Sequence, residues 1–278
     1  MNQSQNIILS PWQMLSFQYH FAHQTYAKHP DVPEQPHIHD SYEIYVNVSD
    51  DVTFLVNNTL YPVRNGDIII TRPGDVHLCV YKCNQVHECF CLWINCPDDS
   101  PLLSFANRED FTNYIHFPSE TRTELLRLLY LLKDAEISQQ EPARTSYIFR
   151  ILTLLSEGKQ TLPKGPILPE SVQEVLDCIH SNFTQIHCIE DIVSATHISG
   201  STLNRWFRNY LQLSPYKYVE ALKLSFAQKL LLEGHSVTEA ADRSGFTDCS
   251  RFIAIFKNKF GMTPLKYKKS AVNNNDPG

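Results

Sequence analysis

The stretch "HIHDSYE", residues 37 to 43, puts two imidazoles two residues apart and a carboxylate four residues further on. His37, His39 and Glu43 are residue types that bind a divalent ion, exchange protons or hydrogen-bond a polar ligand. If the segment is extended, its side chains alternate between two faces. One face then carries His37, His39, Ser41, Glu43, Tyr45 and Asn47, and the other Ile38, Asp40, Tyr42, Ile44, Val46 and Val48. All but one of the polar groups fall on one wall. In a small barrel such a wall lines a pocket for a polar ligand such as a sugar.

The wall needs a scaffold, and the surrounding residues predict a β one. Between about 15 and 100, short runs such as "YEIYVNV", "VTFLVNN" and "GDIIITRPGDVHLCVY" are rich in β-branched and aromatic residues and separated by Asp, Asn, Gly and Pro. That is the pattern of an all-β sandwich or barrel. From 118 the period changes. Pro118 precedes Thr121-x-x-Glu124, which reads as a capping box, and leucines follow at 125, 126, 128, 129, 131 and 132. A second helix opens at Glu141-Pro142. The first of these helices is apolar on more than one face, so one face covers the β domain and the surplus is expected to meet a second subunit.

Residues 158–170 contain "EGKQTLPKGPILPE" almost whole and read as a linker. The expected layout is a domain over 1–157 and a second over 171–278, which fits a 278-residue chain. Charge divides in the same place. Residues 1–170 hold 12 Lys+Arg against 20 Asp+Glu, a net of −8, and residues 171–278 hold 12 against 10, a net of +2. Between Arg243 and Lys269 seven basic residues face one acid, Asp248. Such a segment is a candidate polyanion site. No apolar run approaches the ~18 residues of a bilayer span, and the N-terminus lacks a secretory pattern. A cytoplasmic protein with reduced thiols at its eight cysteines is expected, with no membrane partner. The cysteines of "CVYKCNQVHECFC" lack a paired C-x2-C and read as small buried hydrophobes.

The last hundred residues repeat. "FRNYLQLSPYKY" (207–218) and "FKNKFGMTPLKY" (256–267) share F-[RK]-N-x4-[ST]-P-x-K-Y at an offset of 49. Each copy ends in a hydroxyl N-cap and a Pro, so new helices start after Ser214 and Thr263. Before each copy lies a short helix with small residues, a tight turn ("THISG" or around Gly245) and a helix with an aromatic stripe. This is helix-turn-helix spacing, used twice. The outward positions are Ser201, Asn204, Arg205 and Arg208 in the first unit, with Ser199 and Thr202 at the helix start, and Ser250, Arg251, Ala254 and Lys257 in the second. Arg suits guanine, Asn suits adenine, and Lys near a helix end suits phosphate.

Residues 223–269 carry A-x-x-L-L, Val-x-Glu-Ala-Ala, Gly-Phe-x-Asp-x-Ser-x-Phe, Phe-Lys and Gly-x-Thr-Pro. This stretch resembles the signature region of AraC/XylS-type transcriptional regulators. The resemblance implies two helix-turn-helix motifs joined by a long helix, about Pro215 to Leu232, that read adjacent major-groove segments. Arg251 stands where Tyr is usual and Ile253-Ala254 where Ser-Arg often follows, so the first motif, through Asn204 and Arg205, is expected to carry more of the base readout. The N-terminal half resembles the cupin-type effector domain that often precedes such a tail. His37-x-His39-x3-Glu43 matches its first motif, and Gly66 to His77 matches its second in spacing, with Pro73-Gly74 slightly displaced.

The fold class implied is α+β, a cupin-like barrel with a helical dimerisation segment followed by an all-α DNA-binding domain. Three readings of the polar wall stay open. It is a divalent-metal site of His37, His39, Glu43 and His77, a metal-free effector pocket in which Tyr45, His77 and Trp93 join His39 and Glu43, or a structural hydrogen-bond cluster. The expected function is an effector-responsive, dimeric regulator that binds double-stranded operator DNA, needs no cofactor and meets RNA polymerase if its output is activation. The rival is a cupin metalloenzyme or metal sensor with a DNA-binding appendage.

Overall fold

The computed structural model describes residues 17–26, 35–49, 52–81, 86–97, 100–158 and 168–274. The N-terminal arm (1–15) and linker positions 159–167 lie outside the described residues.

Among the described residues eight strands build the N-terminal half: β1 Gln18–Tyr26, β2 Tyr42–Asn47, β3 Val52–Val56, β4 Thr59–Val63, β5 Ile68–Thr71, β6 His77–Tyr81, β7 His87–Asn95 and β8 Tyr114–Ile115. They form two antiparallel sheets, ordered β1-β7-β2-β5-β8 and β4-β3-β6. Period-two alternation gives each sheet two apolar faces. The inner faces meet through Tyr45, Ile69, Cys89 and Cys91 on one side and Val52, Phe54, Val56, Tyr61, Val63 and Cys79 on the other. Cys79, Cys89 and Cys91 are buried free thiols, as the sequence predicts.

Two helices, α1 Ser119–Ile137 and α2 Glu141–Glu157, cover the outer face of the larger sheet. Ile44, Val46, Ile68, Ile70, Phe90 and Leu92 pack there against Leu125, Leu129, Leu132, Ile148, Ile151 and Leu155. Leu126 and Leu128 remain half-buried, while Tyr130 and Ile137 are exposed. The capping box expected at Thr121 and Glu124 does not form. The helix starts three residues earlier, capped by Pro118 without a side-chain bond, and Thr121 lies inside its first turn.

The C-terminal half is helical: α3 Glu170–Asn182, α4 Ile189–Thr196, α5 Gly200–Leu211, α6 Pro215–Leu232, α7 Val237–Arg243, α8 Cys249–Phe260 and α9 Pro264–Asn274. Ser214 and Thr263 accept from Lys217 N–H and Lys266 N–H, so both predicted N-caps are in place. Helix α6 spans the predicted Pro215–Leu232. The first core, with Ile192, Leu203, Phe207, Leu211 and Tyr218, also takes in Leu55, Leu60, Leu78 and Val80 from the outer face of the smaller sheet, across Val172, Val175 and Leu176 of α3. The two halves therefore share one apolar cluster. The second core is smaller, with Leu224, Leu231, Ala240, Ala241, Phe252 and Phe256.

Candidate effector site and DNA-binding face

Four of the predicted wall residues converge. One ligand atom from each of His37, His39, Glu43 and His77 lies within 4.8 Å of all the others. Glu43 sits on β2, opposite Thr71 of β5 and Trp93 of β7. His77 opens β6, and its backbone exchanges two 3.1 Å hydrogen bonds with His37 in an isolated bridge. The turn before His77 is fixed by Asp75, whose carboxylate accepts from Arg72 N–H and the Asn57 amide at 2.8 Å each. Gly74, at φ +84°, donates its N–H to the His39 carbonyl at 3.0 Å. A residue with a side chain is strained at that φ.

The alternation predicted from 37 to 47 holds only from Tyr42 onward. Residues 38–40 leave the ladder, because the backbone of Ile38 pairs with the Ser225 hydroxyl instead of a strand and Asp40-Ser41 bends the chain into β2. His37 and His39 reach the cluster from this irregular lead-in rather than from a strand face. Tyr45 and Trp93 are not drawn into it. The Tyr45 hydroxyl turns to His87 Nε2 at 3.1 Å, deeper between the sheets. The Trp93 ring lies against His20, 5.3 Å between centroids.

Each imidazole is oriented by its Nδ1. His37 donates to the Gln35 carbonyl at 3.0 Å and His77 to that of Asp75 at 2.9 Å, while His39 Nδ1 lies 3.0 Å from that of Ser41. A carbonyl only accepts, so Nδ1 of His37 and of His77 carries the proton and each neutral ring presents a bare Nε2 to the cluster. His39 Nδ1 also lies 3.1 Å from the Ser41 hydroxyl, which can donate to it and leave the proton on Nε2. The Nε2 atoms of His39 and His77 lie 2.9 and 3.1 Å from the same Oε2 of Glu43. A bare nitrogen would repel that carboxylate, so His77 needs a second proton, a proton on Glu43, or a cation between the two atoms.

Burial alone would raise the Glu43 carboxyl, but the hydrogen bonds that His39 and His77 donate when Nε2 carries a proton outweigh it and hold it well below the usual carboxylate range. Burial lowers His37 to about 3, with His77 adding to the effect, so its ring is neutral at pH 7. The site thus holds one buried anion and nitrogen donors facing it. Backbone carbonyls on the distal nitrogens are the support that metal-ligating histidines usually have.

The helical half presents two recognition helices. In the first motif α4 turns at His197 (φ +57°) into α5, whose N-cap Ser199 accepts from Thr202 N–H at 3.3 Å. Leu203, Phe207 and Leu211 are buried; Ser199, Ser201, Asn204, Arg205 and Arg208 are exposed, and Thr202 is half-buried. In the second, Ser236 and Glu239 close a capping box on α7, and Asp248 caps α8 by accepting from the N–H groups of Ser250 and Arg251. Phe252 and Phe256 are buried while Ser250, Arg251, Ala254 and Lys257 are exposed. The Asn204 amide donates to Gly200 O at 2.8 Å, and Arg251 reaches the Tyr216 hydroxyl at 3.3 Å.

Ser41, which the alternation put on the wall, lies 3.1 Å from His39 Nδ1. Two site residues were not foreseen, of which His87 bridges Tyr45 to Ser49. The buried Lys223 donates to Gly245 O at 2.8 Å and ties α6 to the turn of the second motif. The alternation of β7 puts His87 on the same inward side as Cys89 and Cys91, which is the one signal that could have found it.

Comparison with known proteins agrees with both halves. The model of the AraC-like ligand binding domain matches residues 25–191, and that of a helix-turn-helix domain matches 192–270. An uncharacterized HTH-type transcriptional regulator, YdeC, of Bacillus subtilis (strain 168) is 24% identical over 252 residues, 84% of this chain and 85% of that one. The HTH-type transcriptional activator RhaS of Salmonella schwarzengrund is 26% identical over 249 residues, 84% of this chain and 87% of its own. Among solved structures, ToxT from Vibrio cholerae O395 aligns over 90% of this chain and 96% of its own at 12% identity and a TM-score of 0.39. No helix among the described residues is long and apolar enough to cross a membrane. The chain belongs to the AraC family of transcription regulators, with an N-terminal ligand-binding domain and a C-terminal helix-turn-helix DNA-binding domain.

Proposed function

We propose that this regulator reads two adjacent major-groove segments with α5 and α8 and senses its signal at the cluster of His37, His39, Glu43 and His77. The observation that carries the DNA reading is the pair of exposed polar helix faces set on either side of one long helix. Helix α6 has 18 residues, roughly 27 Å at 1.5 Å per residue. That is close to the roughly 34 Å repeat separating successive major-groove segments on one face of DNA. Asn204 and Arg205 supply most of the base readout, with Ser201 and Arg208 beside them and Ser199 and Thr202 at the helix start. Ser250, Arg251 and Lys257 supply mainly backbone contacts. Selection from random DNA, followed by binding assays on the enriched sequence, tests this reading. No enrichment refutes it.

Residues 1–157 form the effector and dimerisation unit, 158–170 the linker, and 171–278 the DNA-binding unit. The half-buried and exposed apolar residues of α1 support a homodimer. RhaS is named as an activator; if the output here is also activation, RNA polymerase is a partner. The polar wall favours a small polar effector such as a sugar, held by His39, Glu43 and His77 with Tyr45 and Trp93 beyond them. A second reading, a divalent transition metal at the cluster, is favoured by the proton accounting at His77 and by the donor set. A thermal-shift screen of sugars against Zn2+, Mn2+ and Fe2+ separates the two, since a ligand of the folded state alone raises its melting temperature. A metal-dependent shift that His39→Ala removes selects the second, and a sugar-dependent shift the first.

A further inference from the structure

Residues 35–40 have two faces with different neighbours. On one, His37 and His39 point Nε2 into the cluster. On the other, Gln35, Ile38 and Asp40 are all held by the DNA-binding half. Lys259 of α8 donates to the Gln35 side-chain oxygen, and Lys229 of α6 pairs with Asp40. Between them, Ser225 Oγ of α6 accepts from Ile38 N–H and donates to Ile38 C=O, each at 2.9 Å. Ser225 is only 3% exposed, and the Ile38 side chain packs on the apolar cluster that includes Tyr218, Val219 and Leu222 of α6. A helix serine thus takes the place of a strand partner for the one residue that separates the two histidines.

We propose that residues 35–40 are the lever through which occupancy of the histidine cluster moves α6 and so the two helix-turn-helix motifs. The proposal rests on reading that cluster as a cation site. Bonds of 2.0–2.1 Å in a tetrahedral site bring ligand atoms to roughly 3.3 Å from one another, whereas here they spread to 4.8 Å. Closing that gap draws the backbones of residues 37 and 39 inward. Among the described residues the segment's backbone meets the β domain at the His37–His77 bridge and at the Gly74 N–H that donates to the His39 carbonyl, one at a strand end and one in a turn, so it can shift without breaking a sheet. Ile38 lies between the moving residues and is bonded at both its N–H and its C=O, and hydrogen bonds weaken steeply when stretched or tilted. Either α6 follows or the clasp opens. Both outcomes change α6, which carries a motif at each end, and the coupling is reciprocal.

Hydrogen exchange on the full chain, with and without Zn2+ as the probe, tests this. Zinc is expected to slow exchange in peptides covering 37–43 and 71–80, and to change exchange in 216–232 by about threefold or more. In Ser225→Ala the first response remains and the second is lost, and without zinc the Ile38 amide exchanges about tenfold faster because its acceptor is gone. Lys229→Met, which removes partly exposed pairs with Asp40 and Glu233, keeps the fold intact as a second variant and shrinks the 216–232 response. His39→Ala abolishes both responses and so assigns them to the cluster rather than to a cysteine. Zinc protection at 37–43 with no change in 216–232, or with an undiminished change in Ser225→Ala, overturns the lever and leaves the cation site standing. No zinc response at 37–43 overturns the cation reading, and the lever with it.

Discussion

Two glycines with the same backbone sign and different surroundings offer a sharp test of how the second helix-turn-helix motif is held. Gly234 (φ +94°), after α6, and Gly245 (φ +82°), in the turn between α7 and α8, both occupy the left-handed region. Alanine at either position meets a left-handed penalty of about 1–2 kcal/mol. Nothing lies within 4 Å of a Cβ added at Gly234. At Gly245 the added atom would overlap the Thr184 carbonyl oxygen and stand 2.7 Å from its carbon and 2.9 Å from its Cα. These are backbone atoms, so relief requires moving the chain between α3 and α4 away from the turn, an overpacking cost of roughly 1–3 kcal/mol more. Gly234→Ala should therefore destabilise by about 1–2 kcal/mol and Gly245→Ala by about 2–5 kcal/mol. Only the second should also weaken DNA binding below the unfolding transition, because the turn that it displaces fixes α8 relative to α5. Urea denaturation followed by circular dichroism gives the first quantity and a fluorescence-anisotropy titration the second. Equal destabilisation by the two substitutions, or full DNA affinity in Gly245→Ala, would refute the packing argument.

Further expectations concern the site and the DNA face. Arg205→Ala should weaken binding to the selected sequence by ~1–3 kcal/mol and relax specificity, whereas Lys257→Ala should lower affinity evenly across sequences and reduce the salt slope by about 1; equal losses on selected and random DNA for Arg205→Ala would contradict the assignment. Glu43→Gln should leave the chain folded, since an amide nitrogen can donate to a bare Nε2, yet weaken any divalent-metal response at least tenfold, as measured by titration calorimetry. Burial holds His87 and His180 at about 4, below the unfolded value of 6.5. The unfolded chain therefore takes up protons first, and the stability from these groups is full above pH 6.5 and lost as pH falls from 6.5 toward 4, at up to roughly 1.4 kcal/mol per pH unit for each histidine. His180, bonded to the Tyr218 hydroxyl at 2.8 Å, can be replaced by Gln, and urea titrations across that window should then show a slope smaller by up to one proton.

The helical half was more legible than the sensor half, for a physical reason. Its information is local: the repeat at 207–218 and 256–267, the hydroxyl caps and the aromatic stripe all act within a few turns, so α5, α6 and α8 fall where spacing predicts. The convergence of His37, His39, Glu43 and His77 was also readable, but the strand face expected from 37 to 47 was not continuous, because the pairing of Ile38 with Ser225 and the bend at Asp40-Ser41 take the lead-in out of the ladder. Tyr45 was assigned to the wall by the same alternation, and its hydroxyl instead pairs with His87 between the sheets. The capping box at Thr121 had the right residues in the wrong turn. What could not be read was the clasp. Ser225 and Ile38 are 187 residues apart, and a serine inside an apolar helix carries no mark that its hydroxyl replaces a strand partner.

Whether one chain reads two successive major-groove segments with α5 and α8 is decided by hydroxyl-radical footprinting of the 278-residue chain on its selected DNA sequence. Two protected tracts per monomer are expected on one face of the duplex, about 10 bp apart, with Lys257→Ala thinning the tract assigned to α8. A single protected tract per monomer, unchanged by that substitution, would contradict that reading.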